Sequence, residues 1–203
     1  MTEELSAFSD MKLVIASNNS HKIHEIKQIL SGKFDGILSL SEAGVKHETV
    51  EDGETFMENA LKKAREIADI CGMPTLADDS GLCVNALGGE PGIFSARYAG
   101  GGKNHWTDEE NNAFLLKNLE GVTDRSAYFV CTVALVYPDG HEITAEGYMH
   151  GRIIETMRGS RGFGYDPLFL PDGEERTVAE MTDGEKNAIS HRSNALKNLL
   201  SKI

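Results

Sequence analysis

"AYFVCTVALVYPDG", residues 127–140, sets the architecture of this chain. From Ala127 to Tyr137 apolar side chains occupy both alternating positions, the pattern of a strand covered on both faces, so a central strand is expected. Pro138, Asp139 and Gly140 then turn the chain back into a partner over about His141 to His150, a hairpin signature. Upstream, Lys12 to Ser17 and Gly36 to Leu40 read as short buried strands, and Ile23, Ile26, Ile29 and Leu30 share one face of a helix over 21–30. Thr55 with Glu58 forms a capping box for a helix whose apolar positions run from Met57 to Cys71, ended by Gly72 and Pro74. Thr107 with Glu110 opens a helix to about Leu119, Thr182 with Glu185 opens another, and Ala195, Leu196, Leu199, Leu200 and Ile203 mark a last amphipathic one. Thr75 to Ala77 is expected as a short strand that stops at Asp78 and Asp79, and the glycines from Gly81 to Gly102 leave little room for long elements. The sum is an α/β fold, a long twisted mixed sheet flanked by helices.

The 203 residues, 40% of them hydrophobic and 26% charged, suit one domain with one substantial core, in two lobes at most. No apolar run reaches the roughly 18 to 20 residues that cross a bilayer, and the acidic leader MTEELSAFSD is unlike a secretory signal, so a cytoplasmic protein with no membrane partner is expected. Cys71, Cys83 and Cys131 follow no zinc or disulfide spacing and read as small buried hydrophobes. A net charge of −12 disfavours a broad nucleic-acid surface. A compact anion would instead need a few cations converging on one pocket.

Four segments carry candidate chemistry. "SNNSHK", Ser17 to Lys22, leaves small polar residues and a helix N-terminus facing a possible anion, although ordinary capping by Asn19 or Ser20 accounts for the same composition. It lacks the spacing of a P-loop or a dinucleotide fingerprint. Glu51 and Asp52 precede a capped helix, and Asp78 and Asp79 follow an apolar run. A hard divalent ion such as Mg²⁺ takes one or two carboxylates and completes its shell with phosphate and water, a pair that Glu51 and Asp79 can supply. Acidic decoration of a helix N-terminus remains the alternative for Glu51, and it is preferred for Glu58. "GSRGFGYDPLF", 159–169, places aromatics between glycines, and downstream Lys186, His191 and Arg192 can donate to acceptor oxygens. Phe163 and Tyr165 as hydrophobic plugs, and His191 and Arg192 on the polar face of a helix, are the competing readings.

Together the blocks "ASNNSHKIHEI", "EDGETFMENALKKA", "LADDSGLCVNALGGEPGIFSARYAG", "GFGYDPLF" and "EKNAISHRSNAL" resemble the inosine triphosphate pyrophosphatases, or XTP/dITP diphosphatases. The likeness runs from about residue 12 to the C-terminus and leaves 1–11 as a leader outside a single 12–203 domain. It implies an elongated α/β fold with an active-site cleft between two lobes, in a Mg²⁺-dependent homodimer. The implied reaction hydrolyses XTP, dITP and ITP to the monophosphate and pyrophosphate. By position, Ser17, Asn18, Asn19, Ser20, His21 and Lys22 would hold the triphosphate with Lys63. Glu51 and Asp79 would ligate Mg²⁺, Asp79 would also accept the proton of the attacking water, and Ser80 would contact substrate. Phe163, Gly164, Tyr165, Asp166, Lys186, His191 and Arg192 would enclose the nucleoside. Asn85 and Phe94 depart from the family pattern, where aspartate and tyrosine are common.

Overall fold

The computed structural model describes residues 11–101 and 106–203, so the leader and Gly102 lie outside the described residues. Its strands are β1 (Lys12–Ile15), β2 (Gly36–Ser39), β3 (Thr75–Val84), β4 (Ser126–Val136), β5 (Glu142–Ile153) and β6 (Phe169–Pro171). The helices are α1 (Ser20–Ile29), α2 (Phe56–Cys71), α3 (Asp108–Asn118), α4 (Asp183–Ile189) and α5 (His191–Leu200). The strands form one six-stranded sheet in the order β2-β1-β3-β4-β5-β6. It is mixed: β1 runs parallel to β2 and β3, and β5 antiparallel to β6. β4 occupies an interior place in that order and is buried from Phe129 through Val136, as its doubly apolar pattern requires. The hairpin turn closes where Tyr137 N–H donates to the His141 carbonyl at 2.9 Å.

The chain falls into two compact units and passes between them inside β3, β4, β5 and α5. The first comprises the described residues to Asp79, Thr132–Glu146 and Ala195–Ile203. Its core gathers Val14, Leu40, Ala64, Ile67, Ala77 and Val136. The second, Ser80–Cys131 with Gly147–Asn194, packs Leu82, Leu115, Phe129, Tyr165 and Phe169 around a separate centre. Among the described residues no helix is long and apolar enough to cross a membrane. Cys83 and Cys131 are buried free thiols, while Cys71 is only partly covered.

Local signals place the helix ends. Thr107 and Thr182 each accept from the backbone N–H three residues on while Glu110 and Glu185 reach back, complete capping boxes. At α2 only half the motif forms: Thr55 Oγ1 accepts from Glu58 N–H at 3.1 Å, but the Glu58 carboxylate takes the Glu54 N–H at 2.7 Å. Gly72 closes that helix in the left-handed region at φ 63°, which a residue without a Cβ adopts at little cost.

One expectation is corrected. β3 does not stop at Ala77; it runs ten residues to Val84 with Asp78 and Asp79 inside it. Leu82, Cys83 and Val84 favour the strand, β1 and β4 flank it, and both acids are buried with ionic partners, so tertiary context overrides the tendency of aspartate to end strands. Ser190 Oγ accepts from Ser193 N–H at 3.1 Å, which starts α5 at His191.

Candidate active site

The acidic pair lies in the first unit. Residue 51 comes from the loop before α2, Asp79 from β3, and Lys63 from the third turn of α2, where it joins Asn59 and Ile67 on the buried face. The Lys63 ammonium donates to the Asp78 backbone carbonyl at 2.7 Å and to Glu51 Oε1 at 3.1 Å, and lies 3.7 Å from Asp79 Oδ1. One cation thus ties together two carboxylates 28 positions apart in the chain. Burial works against its charge, but Asp79, Glu51 and Asp78 outweigh that cost and hold its pKa above the ordinary lysine value. Asp79 is shifted upward by burial, against the pull of Lys63 and Lys22, which makes it a stronger base than an exposed aspartate.

Asp78 faces the other way along the strand and pairs with Lys22, Nζ to Oδ2 at 3.1 Å, its own side chain wholly buried. It therefore anchors the lysine of the first loop. In that loop Asn19 is the α1 cap: its Oδ1 accepts from His21 N–H at 3.0 Å and Lys22 N–H at 3.1 Å. Its own N–H donates to Ser17 Oγ at 3.1 Å, so the capping explanation holds for Asn19. Asn18, Ser20 and His21 are exposed beside it. Asp52 is drawn off to the surface by Lys62 at 2.6 Å and does not join the pair.

A hard dication suits this donor set. Glu51 and Asp79 offer carboxylate oxygens, and the Glu51 side chain is 35% exposed against 8% for Asp79, an edge open enough for phosphate and water to complete a shell. Among the described residues no group of three or more His, Cys, Asp or Glu is assembled.

The second unit holds the aromatic and cationic residues. Arg192 is fully buried at the start of α5 and donates from Nη2 to Ser80 Oγ at 2.9 Å. Lys186 and Asp166 form a buried pair at 2.7 Å, and Asp166 Oδ2 also accepts from Phe163 N–H at 3.0 Å. The Phe163 ring has the Lys186 ammonium 4.6 Å and the Arg192 guanidinium carbon 6.0 Å from its centroid. His191 stacks on Phe129 with centroids 4.8 Å apart and an interplanar angle of 13°. Neither His191 nor Arg192 is a solvated helix face; both are buried. Tyr165 fits the plug reading: its ring is in the core and its hydroxyl donates to the Ser95 carbonyl at 2.8 Å. Burial raises that hydroxyl far above the usual phenol value.

Three side chains escaped the sequence reading. Asp108 Oδ2 accepts from Gly164 N–H at 2.6 Å and Asn112 donates to the Gly164 carbonyl at 2.9 Å, so α3 pins the aromatic loop. The third, Asn59, touches Asp79. A polar residue on the buried stripe of an amphipathic helix was the available signal. Asn85 donates to Ser126 Oγ at 2.8 Å, and Phe94 lies under Arg97 at 5.5 Å, so both departures have partners of their own.

The chain is similar to known proteins over nearly its whole length. The model of the Ham1 family matches residues 13–202. A dITP/XTP pyrophosphatase of Clostridium perfringens is 49% identical, covering 93% of this chain and 95% of its own. One from Deinococcus deserti is 50% identical over 91% of this chain and 86% of its own. Among solved structures, a HAM1 protein from Coxiella burnetii superposes with a TM-score of 0.83 at 42% identity, covering 95% of this chain and all of its own. The Staphylococcus aureus Ham1 protein gives 0.82 at 41% identity, covering 94% and 97%. With a family model spanning nearly its whole length and relatives at half identity, this chain belongs to the Ham1 family.

Proposed function

We propose that this chain is a nucleoside-triphosphate diphosphatase that hydrolyses dITP, XTP and ITP to the monophosphate and pyrophosphate, removing non-standard purines from the nucleotide pool. The observation that carries the reading is the Lys63 bridge, which brings Glu51 and Asp79 to one place beside a second lysine, Lys22, held by Asp78. Family membership and relatives named dITP/XTP pyrophosphatase support the substrate class.

Glu51 and Asp79 would hold Mg²⁺, which when bound withdraws charge from phosphate oxygens and acidifies water. The chain's own contribution is distinct. Lys22 and Lys63 neutralise the triphosphate, whose existing negative charge is the main obstacle to attack at the α-phosphorus. Asp79, raised by burial, orients the attacking water and takes its proton. In the second unit Phe163 presents a ring to the base. Arg192, His191 or a backbone N–H donates to the 6-keto oxygen of hypoxanthine or xanthine, where adenine would place an amino donor and leave the protein donor unmatched. Sites built on such pairing discriminate by roughly 10⁴ to 10⁵. The enzyme acts on free nucleotides in the cytoplasm as a homodimer, and its charge of −12 argues against nucleic acid as substrate.

A serine hydrolase using Ser80 is disfavoured, because the stretch Asp78 to Leu82 lacks the G-x-S-x-G elbow that exposes such a nucleophile. The test is a panel of dITP, XTP, ITP, dGTP and ATP with pyrophosphate and orthophosphate measured separately, with and without EDTA. Pyrophosphate from the first three, abolished by EDTA, is expected. Orthophosphate as the product, or EDTA-resistant turnover, would overturn the reading.

A further inference from the structure

Asn59 makes no contact that its place on α2 requires, yet it is 1% exposed and both ends of its amide are engaged. Its Nδ2 donates to Asp79 Oδ2 at 3.0 Å, and its Oδ1 accepts from the Gly53 backbone N–H at 2.8 Å. Gly53 is two residues from Glu51, so one side chain touches the carboxylate of one acid and the backbone of the loop that carries the other. The orientation is unambiguous: a backbone N–H needs the amide oxygen and a carboxylate needs the NH₂, so a flipped amide would face donor with donor and acceptor with acceptor. The loop is fitted closely to this contact. A Cβ at Gly53 would stand 2.7 Å from Asn59 Oδ1 and 2.8 Å from Glu58 Cβ, too near for any side chain without a shift. α2 itself does not need the amide, since Asn59 N–H already donates to the Thr55 carbonyl at 3.2 Å within the helix start.

The two oxygens of Asp79 are thereby distinguished. Oδ2 is held by Asn59, and Oδ1 is the one turned toward Lys63 at 3.7 Å, on the side of Glu51. We infer that Asn59 is a positioning residue for the diphosphatase reaction, fixing the rotation of the Asp79 carboxylate and the distance of the Glu51 loop from it. Asp79 would then offer a carboxylate of fixed orientation to a bound metal and water. This rests on the function proposed above. It adds to that function a residue that carries no charge and touches no substrate.

The decisive variants separate the two halves of the amide. Asn59→Asp keeps an acceptor for the Gly53 N–H but replaces the donor to Asp79 with an oxygen, and Asn59→Leu removes both. Melting temperature, kcat and KM for dITP are measured with Mg²⁺, and Mn²⁺ affinity is measured by titration calorimetry without nucleotide. Changes to groups that orient metal ligands commonly reduce affinity or activity by about 10- to 100-fold. For Asn59→Asp, kcat falls by that range and KM for dITP stays within about twofold, while melting is lowered by the second buried carboxylate but remains a single cooperative transition. Mn²⁺ binding weakens by about tenfold in Asn59→Leu. Wild-type kcat in Asn59→Asp together with unchanged Mn²⁺ affinity in Asn59→Leu would overturn the inference. If Asn59→Leu does not fold, a wild-type kcat in Asn59→Asp overturns it alone. The underlying function fails separately, through absence of pyrophosphate release by the unaltered protein.

Discussion

Two ion pairs of the first unit, Lys22 with Asp78 and Lys63 with Glu51, differ in exposure from two contacts of the second, Lys186 with Asp166 and Arg192 with Ser80. In the first, the pairs remain open at one end: Lys22 is 16% and Glu51 35% exposed at the side chain, while their partners Asp78 and Lys63 are buried. In the second, Lys186 with Asp166 and Arg192 with Ser80 are enclosed, at 7% and 4% for the first pair and with Arg192 wholly covered. A half-open ion pair can exchange its partner for an incoming ion at modest desolvation cost, whereas an enclosed one cannot be broken without stranding a charge. On the function proposed above, the first pairs would receive metal and phosphate, and the enclosed contacts would keep a fixed frame for a planar base.

That contrast predicts where substitutions act. The largest effect on stability falls in the enclosed frame: Lys186→Met removes the cation buried against Asp166, a loss of about 3–5 kcal/mol, or on the order of 10 °C in melting temperature by calorimetry. An unchanged melting temperature would erase the distinction between the units. In the open half, Lys22→Ala takes a cation from buried Asp78 and lowers melting, but it also raises KM for dITP at least tenfold, a loss of about 1.4 kcal/mol or more in binding. Equal kcat and KM would remove Lys22 from the phosphate site. The smallest effect is expected at the exposed bidentate pair of Arg65 and Glu142, bonded at 2.6 and 2.7 Å. Arg65→Ala costs about 0–1 kcal/mol in urea unfolding and leaves turnover unaltered.

Much of this arrangement was legible in the residues, and the exceptions share a cause. The doubly apolar run of β4, the hairpin after it and the boxes at Thr107 and Thr182 are local signals, and each produced its element. The T-x-x-E at Thr177 forms a further box that was equally readable and was overlooked. β3 was misjudged because two aspartates and a glycine end strands on average, while Lys22, Lys63 and Asn59, remote in sequence, let them stay inside one. The same non-local dependence hid the burial of His191 and Arg192 and the roles of Asn59, Asp108 and Asn112, none of which stands out by spacing. Charge placement at the site was visible as residue types; which charge meets which was set by the fold.

The account turns on the pair at Glu51 and Asp79, and its most direct test is single-turnover hydrolysis of dITP by Asp79→Asn, with pyrophosphate quantified and folding checked by circular dichroism. The account predicts a folded protein whose rate is down by roughly 10³-fold or more, within the range that loss of a positioned base produces and deepened by loss of a metal ligand. A folded Asp79→Asn protein releasing pyrophosphate at the wild-type rate would contradict it.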